Sequence, residues 1–150
     1  MLDDKDRAIL DILQRDDRTG YAEIGARVKL AASSVYERVK RLERHGIIRS
    51  YGAKLDAAAV GRGVTAFVSI ATRAASSEIV PRLAAFPEVE DCHSIAGTDS
   101  LLLEVRTSTT QELENLLERM RGTIGVERTR TTIVLDTYFE HRPLAICAAA

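Results

Sequence analysis

Residues 32–45 carry the side chains best suited to meet an anionic polymer. On a helical wheel of about 100° per residue, Val35, Val39 and Leu42 fall within about 60° of one another and make an apolar stripe. That stripe must face a core. Ser33, Ser34, Glu37, Lys40, Arg41 and Arg44 point the other way, and Arg38 belongs to the same basic set. Short hydroxyls near a helix start reach base edges or phosphates. Lys40 or Arg41 suits guanine O6 and N7 or a phosphate, and Glu37 suits the amino group of cytosine. Arg44, with Arg49 and Lys54, is better placed for backbone phosphates, which position a protein without specifying sequence. The alternative is a solvated face with i,i+4 pairs such as Glu37–Arg41. The surroundings favour the nucleic-acid reading. Between residues 27 and 54 the basic residues are Arg27, Lys29, Arg38, Lys40, Arg41, Arg44, Arg49 and Lys54, opposed only by Glu37 and Glu43. The whole chain has a net charge of −1, so the remainder is acidic, which points to one local anionic partner.

A second constellation is Gly97-Thr98-Asp99-Ser100. Gly97 lets backbone approach a ligand. Thr98, Asp99 and Ser100 offer oxygens to an α-amino group, and exposed N–H groups can take a carboxylate. Taken alone, the pattern fits a plain hairpin turn better.

Catalysis is not expected. Cys92 and His93 are adjacent, but neighbours on a strand point to opposite faces and cannot pair as nucleophile and base. Cys92 is expected in the core and His93 half-buried. His45, His93, His141, Cys92 and Cys147 show no metal-ligand spacing, and no phosphate-binding glycine loop is present. No catalytic residue, metal site or cofactor is therefore assigned.

The elements that must position these residues follow from periodicity and caps. Residues 4–14 read as a helix with Asp3 as N-cap, followed by helices over 21–28 and 32–45, with Gly46 as the stop. This is a helix-turn-helix, whose second helix enters the major groove of double-stranded DNA. Residues 47–55 read as short extended structure and 57–63 as a linker or single turn. Beyond it come strands at 64–72, 88–96, 101–107 and 127–139 and helices at 77–86 and 112–121. Pro81 argues for a later start to the first of these two helices. The order βαββαβ is ferredoxin-like, so the fold class is α+β. The domains are expected at 1–46 (helix-turn-helix), 47–63 (strand and linker), 64–143 (ferredoxin-like) and 144–150 (tail).

The 150 residues suit one ordinary domain or two small ones, and interleaved apolar and charged residues suit a globular chain. The charged start and the lack of an apolar run of about 18 residues exclude a membrane span. Two distant cysteines suit a reducing cytoplasm, the expected location.

At this point the chain resembles the Lrp/AsnC, or feast/famine, family of bacterial and archaeal transcription regulators. The resemblance rests on Leu2-Asp-Asp-Lys-Asp-Arg-Ala-Ile-Leu10, on Glu37-Arg-Val-Lys-Arg-Leu-Glu-Arg-His-Gly-Ile-Ile48, on Glu88-Val-Glu-Asp-Cys-His-Ser-Ile-Ala-Gly97 and on Gly125-Val-Glu-Arg-Thr-Arg-Thr-Thr-Ile-Val-Leu135. It covers about residues 2 to 143. It implies a DNA-binding regulator whose ferredoxin-like domain binds a small effector, an amino acid, between subunits. The effector residues it implies are Ile95, Ala96, Gly97, Thr98, Asp99, Ser100 and Leu101. It further implies a homo-oligomer built from dimers, a tetramer or octamer, in which residues 47–55 pair with the same segment of a partner chain. An effector-independent architectural DNA-binding protein is the alternative.

Four departures from the family pattern matter. Thr98 and Ser100 stand where acids are common. Lys29 replaces a turn glycine and is expected at positive φ. Ala31 cannot cap the third helix with a side chain.

Overall fold

The computed structural model describes residues 2–146. By packing, these divide into two units, which are described separately. One holds the residues up to Lys54 together with those from Phe139 onward; the other runs from Leu55 to Tyr138. The division between the units falls inside the segment 47–63. Ile48 packs against the helical core, whereas residues from 55 onward go with the sheet.

The first unit is built on α1 (Asp4–Leu13), α2 (Tyr21–Val28) and α3 (Ala32–Arg44). Asp3 caps α1 as expected and does so reciprocally. Its Oδ1 accepts the Asp6 N–H at 2.8 Å, while Asp6 Oδ2 accepts the Asp3 N–H at 3.2 Å. The apolar stripes of all three helices meet in one core of Ile9, Leu13, Ile24, Val28, Val35 and Val39. Between α2 and α3 the backbone reverses at Lys29, which adopts φ 57° and ψ 56°, the left-handed conformation that glycine would take without strain. Gly46 (φ 66°) ends α3. The Ile47 N–H bonds the Leu42 carbonyl at 3.0 Å and the Gly46 N–H bonds that of Glu43 at 2.9 Å, a Schellman closure. Residues 139–146 return to this unit, where Gln14 brackets Leu144 by accepting its N–H at 2.8 Å and donating to its carbonyl at 2.9 Å.

The second unit is a four-stranded antiparallel sheet with two helices on one face. Its elements are β1 (Val64–Thr72), α4 (Ser76–Leu83), β2 (Val89–Ser94), β3 (Leu101–Thr107), α5 (Thr110–Arg121) and β4 (Val126–Ile133). The strand order β2-β3-β1-β4 is the ferredoxin-like one. Alternation along β1 and β3 sends Ala66, Val68, Ile70, Leu101, Leu103 and Val105 beneath the helices. There they meet Ile79, Leu83, Leu113, Leu116, Leu117 and Met120. The opposite face carries Phe67, Ser69, Leu102 and Glu104 and has no layer over it within the unit.

Several expectations are corrected here. The helix around Pro81 begins at Ser76, not later, because a proline in its second turn leaves only the exposed Ser77 carbonyl without an intrahelical donor. The last strand ends at Ile133 rather than near 139. After the Val134 N–H bonds the Thr65 carbonyl, β1 offers nothing further to pair with. Residues 49–56 form no strand within the chain. Cys92 is exposed, not in the core, and His93 is exposed as well. Cys147 lies outside the described residues.

Candidate nucleic-acid interface and effector loop

The outward face of α3 begins at an unusual helix start. Ala31, at the N-cap, supplies no side-chain hydrogen bond, so the first N–H groups of α3 are left without a side-chain acceptor. Ser33 and Ser34 sit exposed in that first turn, and Glu37 and Arg44 follow along the exposed face. No ion pair engages Glu37 or Arg44 among the described residues. An uncapped N-terminus flanked by hydroxyls, with a free guanidinium further along, suits a phosphate-lined groove.

The remaining basic residues of α3 are occupied. Lys40 Nζ bonds Glu43 Oε2 at 2.7 Å and lies 5.8 Å from the Tyr36 ring centre. That pairing raises the lysine pKa, and together with a bond from the Tyr51 hydroxyl it holds the Glu43 carboxyl below its ordinary range. Arg38 donates to Asp3 Oδ2 at 2.6 Å and Asp6 Oδ1 at 2.8 Å. Arg41 Nη2 lies 2.7 and 2.6 Å from the two oxygens of Asp6. The Arg38 bond holds the Asp3 carboxyl below its ordinary range, with the Asp6 N–H adding to the effect. The structure thus groups Ser33, Ser34, Glu37 and Arg44 on an open face and turns Arg38 and Arg41 toward the start of α1. Sequence reasoning did not single out Asp6. The one available signal was an acid three residues after an acidic N-cap.

The loop between β2 and β3 is closed by the Ile95 N–H on the Ser100 carbonyl at 3.0 Å and tied to β1 by the Ser100 N–H on the Ile70 carbonyl at 2.8 Å. Ser100 Oγ also donates to the Thr72 carbonyl at 3.2 Å. Ala96, Gly97 and Thr98 are exposed, Ile95 is half-buried and Leu101 enters the core. Gly97 has φ 150°, with nothing within 4 Å of where a Cβ would stand. Asp99 is only 6 % exposed, and its two oxygens meet Arg128 Nη2 at 3.0 Å and Arg130 Nη1 at 3.2 Å. The loop therefore presents backbone and Thr98, while its single carboxylate is already paired. Elsewhere in this unit an open polar groove of about 550 Å³ runs past Arg62, Glu88, Ser108, Glu112 and Arg119; none of these was singled out from the sequence.

Among the described residues no group of three or more His, Cys, Asp or Glu is arranged to hold a metal ion, and no helix is long and apolar enough to cross a membrane.

Comparison with known proteins agrees with this architecture. Residues 2–43 match the AsnC-type helix-turn-helix domain and residues 65–144 the Lrp/AsnC ligand binding domain. The chain is 41% identical over 143 residues to the HTH-type transcriptional regulator LrpA of Mycobacterium tuberculosis, covering 94% of this chain and 95% of that one. Among solved structures it is similar to a feast or famine regulatory protein from M. tuberculosis complexed with L-methionine, with a TM-score of 0.89 at 40% identity over 95% of this chain and 97% of that one. It is also similar to a transcriptional regulator of Neisseria meningitidis in complex with L-Met, with a TM-score of 0.85 at 29% identity over 97% of each chain. A helix-turn-helix joined to a ferredoxin-like ligand-binding domain, matched over almost the full length, places this chain in the Lrp/AsnC family of transcription regulators.

Proposed function

We propose that this chain regulates transcription by binding double-stranded DNA sequence-specifically, under the control of a small effector. The observation that carries the DNA half is the uncapped start of α3 with Ser33, Ser34, Glu37 and Arg44 outward and unpaired. In this reading α3 lies in the major groove, its first turn meets base edges, and Arg44 neutralises phosphate. Lys40 joins by exchanging Glu43 for a phosphate. The test is the salt dependence of binding to duplex DNA. Affinity should fall steeply between 50 and 200 mM salt, by roughly 10³-fold if about six phosphates are contacted. A flat response would remove DNA as the partner.

The effector half rests on the ligand-binding domain and on relatives solved with methionine. The effector is an amino acid held by the loop Ile95–Leu101 between subunits of a dimer-based oligomer, a tetramer or octamer. The uncovered sheet face with Phe67 and the exposed Ile47, Tyr51 and Leu55 supply apolar surface for such assembly. Calorimetric titration with the twenty amino acids tests this, with Gly97→Val as the control that should abolish the heat without unfolding the chain. One observation favours the alternative of an effector-independent architectural protein: Asp99 is spoken for by two arginines, so no free carboxylate of the loop awaits an ammonium group. Absence of heat with every amino acid would decide for that alternative. The protein would act in the cytoplasm, where its DNA is.

A further inference from the structure

Resting on the DNA-binding reading above, we propose that Asp6 is a positioning residue for α3, and that Arg38 and Arg41 serve it rather than DNA. Asp6 is 1 % exposed although it lies in the first turn of α1. Its oxygens are saturated. Oδ1 takes Arg38 and Arg41 at 2.8 and 2.7 Å, and Oδ2 takes Arg41 at 2.6 Å and the Asp3 N–H at 3.2 Å. Asp3 Oδ2 takes Arg38 as well, at 2.6 Å.

Two features make this more than a surface ion pair. Arg38 and Arg41 are three residues apart, so they project from one side of α3 a turn apart. One carboxylate gripping both fixes the rotation of α3 about its own axis as well as its position along it. That rotation decides which residues face a groove. In addition, two arginines against Asp3 and Asp6 make a group of zero net charge. Such a group releases no counterions on meeting phosphates and cannot contribute to the salt dependence of binding. Arg44, unpaired on the open face, can. The basic character of α3 therefore overstates its phosphate contacts.

The proposal makes electrostatics and positioning disagree in sign. Removing the negative charge of Asp6 should tighten binding to DNA if only charge matters. If Asp6 sets the orientation of α3, the same change should loosen discrimination between sequences. The experiment uses the full chain, a duplex selected by the wild-type protein from a random-sequence library, and poly(dI-dC) as non-specific competitor. Fluorescence anisotropy gives both affinities between 50 and 200 mM salt, and circular dichroism melting sets a temperature at which every variant is folded.

For Asp6→Asn the ratio of specific to non-specific affinity should fall about ten-fold or more, with non-specific binding unchanged or tighter. For Arg41→Gln the ratio should fall similarly while the slope of log K against log salt stays that of wild type. For Arg44→Gln the slope should become shallower by about one. An unchanged ratio in Asp6→Asn, or a slope shallower by about one in Arg41→Gln, overturns the proposal. Should Asp6→Asn fail to fold, Arg41→Gln decides, because its slope separates a phosphate contact from a clamp. Failure of the wild-type chain to bind any duplex is a different result: it removes the DNA reading, and the clamp's purpose with it.

Discussion

Gly25 faces the carbonyl oxygen of Leu30 so closely that a Cβ on Gly25 would stand 2.5 Å from it. The same two residues are joined in the reverse sense, the Leu30 N–H bonding the Gly25 carbonyl at 2.9 Å. The turn between α2 and α3 folds back on the end of α2, and only a residue without a side chain fits beneath it. Gly25→Ala should therefore destabilise the chain despite alanine's better helix propensity. The loss expected from overpacking against backbone is about 1–3 kcal/mol, read from the midpoint of chemical denaturation. A gain in stability would show that the turn can shift without penalty.

Lys29, in the same turn, should respond in the opposite direction. Its left-handed backbone costs an L-residue about 1–2 kcal/mol, and glycine avoids that penalty while adding about 0.4–1 kcal/mol of unfolded-state entropy. Lys29→Gly should stabilise by the difference, about 0.5–1 kcal/mol. A drop in the denaturation midpoint would mean that the exposed lysine makes up for its strain elsewhere.

These two positions show what was legible in the sequence. The positive φ of Lys29 was readable only through the family resemblance, which implies a glycine in that turn. The uncapped Ala31 was readable because alanine carries no side-chain acceptor. The core stripe Val35, Val39 and Leu42 and the alternation of β3 follow from periods of 3.6 and 2, which are local. What failed was non-local. Cys92 pairs with Leu103, which is fully buried, and paired residues share a face; but β2 is an edge strand, and sheet order leaves its side chains exposed. Nor was it legible that Arg38 and Arg41 contact an acid 32 and 35 residues away, or Asp99 an arginine 29 residues away. Charge pattern on one helix wheel cannot distinguish an arginine that meets a ligand from one that meets its own chain.

Acid should loosen the helical unit. Asp3 and Glu43 are both held below their ordinary values of 3.8 and 4.5, Asp3 chiefly by Arg38 and Glu43 chiefly by Lys40. A carboxyl with a lowered folded-state pKa contributes its stability in full above its unfolded value. It loses that stability as pH falls through the folded one. The melting temperature should thus be level down to about pH 5 and fall below about pH 4. Asp3→Asn should be less stable near neutrality and show a shallower fall in acid. An unchanged acid limb would show that Asp3 titrates alike in both states.

Asp99 and its two arginines should be unequal in mutation. The carboxylate is 6 % exposed, whereas the side chains of Arg128 and Arg130 are 55 % and 60 % exposed. Removing the acid returns two guanidiniums to water that already reaches them. The loss is then that of charge-assisted hydrogen bonds, about 1.5–3 kcal/mol before solvent screening, and less after it. Removing both arginines leaves a buried carboxylate without its ion pairs, a change that costs about 3–5 kcal/mol where burial is complete. Asp99→Ala should therefore be milder than the double variant Arg128→Ala/Arg130→Ala. The triple variant should recover part of the double variant's loss, because the stranded charge is gone. Denaturation midpoints of the three variants measure this directly. Equal losses in the single and double variants would mean that water reaches Asp99, and a loop so hydrated would have a carboxylate open to an effector's ammonium group after all.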